Sequence, residues 1–176
     1  MLIYQGRSIR LEERDIKLRN GSISRAFPVV THESGVIVVP IIHGPSGPEI
    51  MLIKQWRPAM GIDIIEVPGG GINKNELPEE AARREVMEEA GLVVSELIYL
   101  GRVFPAPGWD IETQDHFIAI CNSELYEQPQ DDVDNIERIK VSLSKASEML
   151  AEWEIVDLKT RSILYDALSY LKAKVI

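Results

Sequence analysis

Residues 70–92 read GGINKNELPEEAARREVMEEAGL, and the rest of the chain is organised around them. The stretch predicts a glycine loop running into a short helix. Pro78 suits the first helical position, where its missing N–H costs nothing. Glu79 and Glu80 fall in the first turn, where the helix dipole favours negative charge. Leu77 would be the N-cap and offers no oxygen, so tertiary contacts are expected to hold that end. Ala81, Ala82, Arg83 and Arg84 propagate a helix well. Gly91 is expected to end it in a left-handed conformation.

Glu85, Glu88 and Glu89 stand three and four residues apart, so they crowd one face beside an apolar stripe of Ala82, Val86 and Ala90. Like charges at that spacing destabilise an isolated helix. A divalent cation would turn this defect into a site. Carboxylates with no Cys or His beside them are hard oxygen ligands suited to Mg²⁺ or Mn²⁺. Mg²⁺ takes one or two carboxylates and shares its shell with water and substrate phosphate. The competing reading is a solvated acidic helix.

The order Gly70, Glu76, Arg84, Glu85, Val86, Glu88, Glu89, Gly91, Leu92 matches the Nudix box in full. The chain therefore resembles the Nudix hydrolases, which cleave nucleoside diphosphates linked to another moiety. The likeness extends over roughly residues 30–172. QWRPAMGIDIIEVPGG and PAPGWDIETQDHFIA resemble the runs before and after the box in the ADP-ribose pyrophosphatase branch, and EIVDLKT resembles the start of its last helix.

Composition bounds the rest. A chain of 176 residues is one domain by default, with 45% hydrophobic residues enough for a core. A net charge of −9 argues against a sequence-independent grip on nucleic acid, which needs a basic face. It would also repel an anionic substrate unless metal and local Arg residues reverse the field. Cys121 is the single cysteine, so no internal disulfide forms and a reducing, cytoplasmic setting is expected. The N-terminal run lacks the apolar core of a signal peptide, and no segment reaches the ~18 apolar residues of a membrane span.

Residues 2–30 carry short alternating segments, with Asn20-Gly21 as a hairpin signal. Two or three antiparallel strands are expected there, packed on something else. GVIVVPII (35–42) reads as a buried central strand, 49–55 and 62–67 as further strands, and 68–71 as a turn. Strand material follows in 93–104, 117–121 and 136–141, with loops at 105–116 and 122–135. Residues 143–153 and 158–173 read as amphipathic helices, capped by Ser142 or Ser144 and by Asp157. The expected class is α+β, a mixed sheet between helices. The resemblance specifies a Nudix-type α/β/α sandwich over 33–176. It also implies an N-terminal strand unit, 1–32, that embraces a second copy in a homodimer.

The resemblance also implies residue roles. Glu85 and Glu89 are the principal metal ligands, Glu88 a further ligand or supporting catalytic group, and the Gly69 carbonyl an added ligand. Glu76 and Arg84 are structural, Arg84 pairing with Glu76 to tie loop to helix. Gly70 and Gly71 let backbone approach the substrate. Arg57 contacts phosphate, for which its fork is suited. Trp56 is either core or a stacking partner, with core favoured. Glu112 is the general base, with Asp110 and Asp115 as alternatives. His32, His43 and His116 are not at metal-ligand spacing, and His116 reads as a satisfied core or edge histidine. Phe27 is either core or a stacking face.

The expected activity is metal-dependent hydrolysis of a nucleoside diphosphate sugar, with ADP-ribose to AMP and ribose 5-phosphate first. GDP-mannose hydrolysis, a silent nucleotide-sugar-binding regulator and an isoprenyl diphosphate isomerase are the rivals. The last wants a cysteine in its pocket, and Cys121 falls in a strand.

Overall fold

A computed structural model describes residues 1–125 and 136–174. The apolar run read as central is strand β4 (Gly35–Gly44), buried along residues 35–42. Its side chains alternate between two cores. Val36, Val38 and Ile42 face one cluster, and Ile37, Val39 and Ile41 face the other. A strand apolar on both faces must be covered on both faces, and it is.

The remaining elements are β1 (Leu2–Gln5), β2 (Ile9–Lys17), β3 (Ile23–His32), β5 (Gly47–Arg57), β6 (Ile62–Glu66), β7 (Gly69–Gly71), α1 (Pro78–Glu85), β8 (Leu92–Val103), β9 (Gln114–Leu125), β10 (Glu137–Ser142), α2 (Leu143–Ala151) and α3 (Leu158–Lys174). The main sheet runs β10-β5-β4-β9-β8, with β6 on β5 and β7 on β4. β4 and β9 are parallel and the other pairs antiparallel, so the sheet is mixed. α1 closes one face through Ala81 and Ala82. α2 and α3 close the other through Met149, Leu150, Ile163 and Leu164. The α+β sandwich expectation holds.

The N-terminal strands form their own sheet, β1-β2-β3. Gly21 takes φ 86° in the β2–β3 turn, as the Asn-Gly signal requires. The loop after β8 seats against this sheet. Val30 N–H donates to the Trp109 carbonyl at 2.7 Å, and Ile111 N–H donates to the Val30 carbonyl at 3.2 Å.

Some expectations were too short. The turn at 68–71 contains a strand, β7, pairing Gly69–Gly71 with Ile37–Gly35. β9 starts at Gln114 inside the expected loop and runs to Leu125; the rest of the loop expected at 122–135 lies outside the described residues. Parallel pairing with β4 explains the early start, since residues 114–116 are polar but continue the ladder from Gly35.

Both helix caps are as read. Ser142 Oγ accepts from Lys145 N–H, and Asp157 Oδ2 accepts from Thr160 N–H. Thr160 is buried, and its Oγ1 accepts the Val67 N–H at 3.1 Å, pinning the start of α3 to the chain just before the glycine strand. Thr160→Val removes that acceptor without changing shape and leaves a buried N–H unmatched. It should cost about 1–3 kcal/mol, read by urea unfolding; an unchanged midpoint would show that this bond carries no net stability.

Candidate active site

The acidic helix begins as the sequence suggests, with Leu77 extended and Pro78 at the first helical position. Its N-terminus is held differently. Glu80 Oε2 accepts the Leu77 N–H at 2.9 Å, so a carboxylate within the helix closes the end that tertiary contacts were expected to hold. The last turn, Val86–Ala90, widens to π-helical geometry before Gly91 stops it at φ 67° and ψ 28°. π turns concentrate at functional sites.

Arg84 organises the site. Its Nε and one terminal nitrogen hold both Glu76 oxygens, at 2.8 and 3.0 Å, as expected of the structural pair. The same guanidinium donates to the Gly71 carbonyl at 2.8 Å, to Glu85 Oε1 at 2.5 Å and to Glu88 Oε2 at 3.0 Å. Arg84, then the Asn73 N–H, hold the Glu76 carboxyl down at about 2. One cation thus ties loop, glycine strand and helix together.

The glycines are there for proximity. A Cβ on Gly70 would lie 2.3 Å from Glu85 Oε1, so only glycine lets that carboxylate lie against β7. A Cβ on Gly69 would lie 2.5 Å from the Val36 carbonyl oxygen, and the Gly69 N–H donates to Glu89 Oε2 at 2.9 Å. The contact the structure gives Gly69 is through its amide.

The three box glutamates differ in environment. Glu85 is buried, Glu89 half-buried and Glu88 exposed. Burial pushes Glu89 up to about 8 against the pull of the Gly69 amide, with Glu85 adding repulsion. Burial also raises Glu85, opposed by Arg84. Two adjacent carboxylates held above their ordinary range, with oxygen the only donor type, fit a hard divalent cation.

A cavity of about 280 Å³ opens beside the glycine strand. Gly69, Gly70 and Gly71 line it, with Arg57 and Lys159 bringing positive charge and Glu112 a carboxylate. Arg57 presents its fork to the buried Glu66, at 2.7 and 2.5 Å, so its bidentate partner here is a carboxylate. Trp56 is 52% exposed, which overturns the preferred core reading. The alternation of β5 buries Gln55 and turns Trp56 outward.

The loop acids separate clearly. Asp115 is buried and bound by Arg102 and the Tyr99 hydroxyl, so it cannot serve as base. Asp110 is buried between His32 Nδ1 at 2.7 Å and the Glu112 N–H at 2.9 Å. Glu112 Oε1 accepts from Gln114 at 2.7 Å, while Oε2 stands 3.9 Å from His32. His32, Asp110 and Glu112 offer donor atoms within 4.8 Å of one another, the group of three that converges among the described residues. Local spacing gave no hint of His32, which is 78 residues from Asp110. His116 is buried with neither ring nitrogen partnered among the described residues, so it is not the satisfied histidine expected.

Glu89 carries a testable pH signature. Its folded value of about 8 lies above the ordinary 4.5. Between those limits the folded protein keeps a proton that the unfolded chain has released, so stability falls as pH rises. In metal-free buffer wild type should lose stability relative to Glu89→Gln between pH 5 and 8, measured by urea unfolding. Parallel profiles would place Glu89 in a solvated setting.

The comparisons bear on family and fold. The NUDIX domain model matches residues 31–160. The chain is 31% identical over 173 residues to the ADP-ribose pyrophosphatase of Bacillus subtilis (strain 168), covering 98% of this chain and 89% of that one. It is 29% identical over 159 residues to the methanol dehydrogenase activator of Bacillus methanolicus, covering 90% and 84%. It is 26% identical over 162 residues to the GDP-mannose pyrophosphatase of Salmonella typhimurium (strain LT2), covering 85% and 82%. A solved ADP compounds hydrolase superposes with a TM-score of 0.82 at 18% identity, covering 99% of this chain and 92% of that one. With an intact box on an α/β/α sandwich and a family match over most of its length, the chain belongs to the NUDIX hydrolase family.

Proposed function

We propose that this hydrolase splits the diphosphate of a nucleoside diphosphate sugar, ADP-ribose foremost, to AMP and ribose 5-phosphate. The observation that carries the reading is the pair Glu85 and Glu89, lying against a glycine strand that itself lines a cavity with Arg57, Lys159 and Glu112 in its wall. The likeness to the Bacillus subtilis enzyme along nearly the whole chain favours ADP-ribose over GDP-mannose.

Glu85 and Glu89 would hold Mg²⁺, or Mn²⁺ in its place, with Glu88 and the Gly69 carbonyl as further ligands. Bound there, the ion would neutralise diphosphate charge and polarise the phosphoryl oxygens. Arg57 and Lys159 hold the anionic oxygens and reverse the field of an acidic protein. Gly70 and Gly71 leave room for the substrate to lie against backbone. Glu112 takes the proton of the attacking water as its oxygen bonds phosphorus and the bridging P–O bond breaks. Gln114 orients Glu112 through the other oxygen. Trp56, exposed beside Arg57, is a face on which a base can stack. Isomerase chemistry through Cys121 is disfavoured, since that thiol is buried and pushed up to about 12.

Residues 1–32 are proposed to join two copies. Leu2, Ile3, Tyr4, Ile9 and Ile23 expose large apolar side chains on the small sheet, a concentration that a second chain would cover. The lone buried cysteine suits a cytoplasmic setting, and no described helix is long and apolar enough to cross a membrane.

A panel of nucleoside diphosphate sugars with Mg²⁺, products identified by mass, tests the activity. AMP and ribose 5-phosphate from ADP-ribose, lost by at least about a hundredfold in Glu85→Gln, is the expected result. Mannose 1-phosphate release as the faster reaction would transfer the assignment to GDP-mannose, and no turnover at all would leave a nucleotide-sugar sensor. Light scattering should give twice the 19.8 kDa chain mass; a monomer would remove the pairing role of residues 1–32.

A further inference from the structure

A second, smaller cavity of about 160 Å³ adjoins the first, sharing Gln114 and Lys159 with it. Val103, His116 and Ser162 also line it, between the end of β8, the start of β9 and the first turn of α3. With about 30 Å³ per water, it has room for about five waters, nearer the size of one sugar ring than of a nucleoside.

Its polar groups are unusual. His116 is 1% exposed and Gln114 4% exposed. Neither nitrogen of His116 has a partner among the described residues, and neither does Gln114 Oε1, while Gln114 Nε2 is committed to Glu112. Leaving such groups unmatched is costly. A structural histidine or glutamine would be matched within the fold. Here three atoms are unmatched on two side chains that line a cavity sharing Gln114 and Lys159 with the proposed site of phosphate chemistry.

We propose that this second cavity is the subsite for the sugar beyond the diphosphate, with His116 and Gln114 reading its hydroxyl groups. The proposal rests on the function proposed above and specifies which part of the site takes the sugar. The donor count decides the ligand class. Gln114 Oε1 only accepts, and a neutral imidazole donates from one nitrogen and accepts at the other. Burial lowers the His116 imidazole, which keeps it neutral. Two acceptors and one donor suit adjacent hydroxyls, each of which can donate and accept. A phosphate dianion brings no donor and would face the Gln114 oxygen in repulsion. Lys159, common to both cavities, marks the boundary where the charged diphosphate ends and the neutral sugar begins.

The test uses the intact protein in two measurements. Wild type labelled with ¹⁵N-histidine is titrated with ribose 5-phosphate and, separately, with inorganic phosphate, and His116→Gln assigns the ring signals among the three histidines. Ribose 5-phosphate should shift both His116 ring nitrogens, and inorganic phosphate should leave them in place. Unmoved ring signals at saturating ribose 5-phosphate would overturn the proposal. In kinetics, His116→Leu should raise KM for a nucleoside diphosphate ribose about tenfold, the loss of one buried hydrogen bond. kcat and the inhibition constant of the plain nucleoside diphosphate should stay near wild type, and His116→Gln should recover part of the loss. Equal changes in KM and inhibition constant would make His116 structural and also overturn the proposal. Absence of turnover in wild type would sink the proposed activity alone, because the ring titration decides the subsite without catalysis.

Discussion

The site depends on one guanidinium among three carboxylates. Arg84 reaches Glu76 in the loop, the Gly71 carbonyl on the strand, and Glu85 and Glu88 on its own helix. Without it, three acids would face one another across a gap that only glycine can line. Repulsion at that range in a partly desolvated setting is worth kilocalories. Arg84 satisfies Glu76 fully and Glu85 in part, while Glu89 receives only the Gly69 amide. Two carboxylates, Glu85 and Glu89, are thus left under-neutralised beside the glycine strand.

The sandwich supplies the rigidity that this arrangement needs. α1 lies on one face of β4 and α3 on the other, so the glycine strand beside β4 is fixed from both sides. The Thr160 hydroxyl carries the link across, from the start of α3 to the chain entering β7. The loop that carries Glu112 is fixed from a third direction. Its bonds to Val30 and the His32–Asp110 pair seat it on the N-terminal sheet. Glu112 therefore depends on that sheet for its position.

Charge is handled locally. The chain carries nine excess negative charges. Arg57 and Lys159 bring the positive charge that the cavity lining supplies, and Arg57 is half-committed to Glu66. Glu66 holds Arg57 in the cavity wall.

What the sequence determined by itself is local. The box helix, its start at Pro78 and its left-handed end at Gly91 follow from propensity and capping. The Glu76–Arg84 pair and the glycines were legible because they lie within twenty or so residues of one another. The two-faced β4 was legible because eight consecutive apolar-type residues admit no solvent face. The tertiary structure decided what joins distant residues. His32 reaches Asp110 and Glu112 only through a loop docking on another sheet, and no spacing rule anticipates a contact 78 residues apart. Trp56 was misread because its place depends on which face of β5 is covered. The unmatched His116 and Gln114 appear only once β9 is seen to begin early, because a polar run extends a strand when a parallel neighbour supplies its hydrogen bonds.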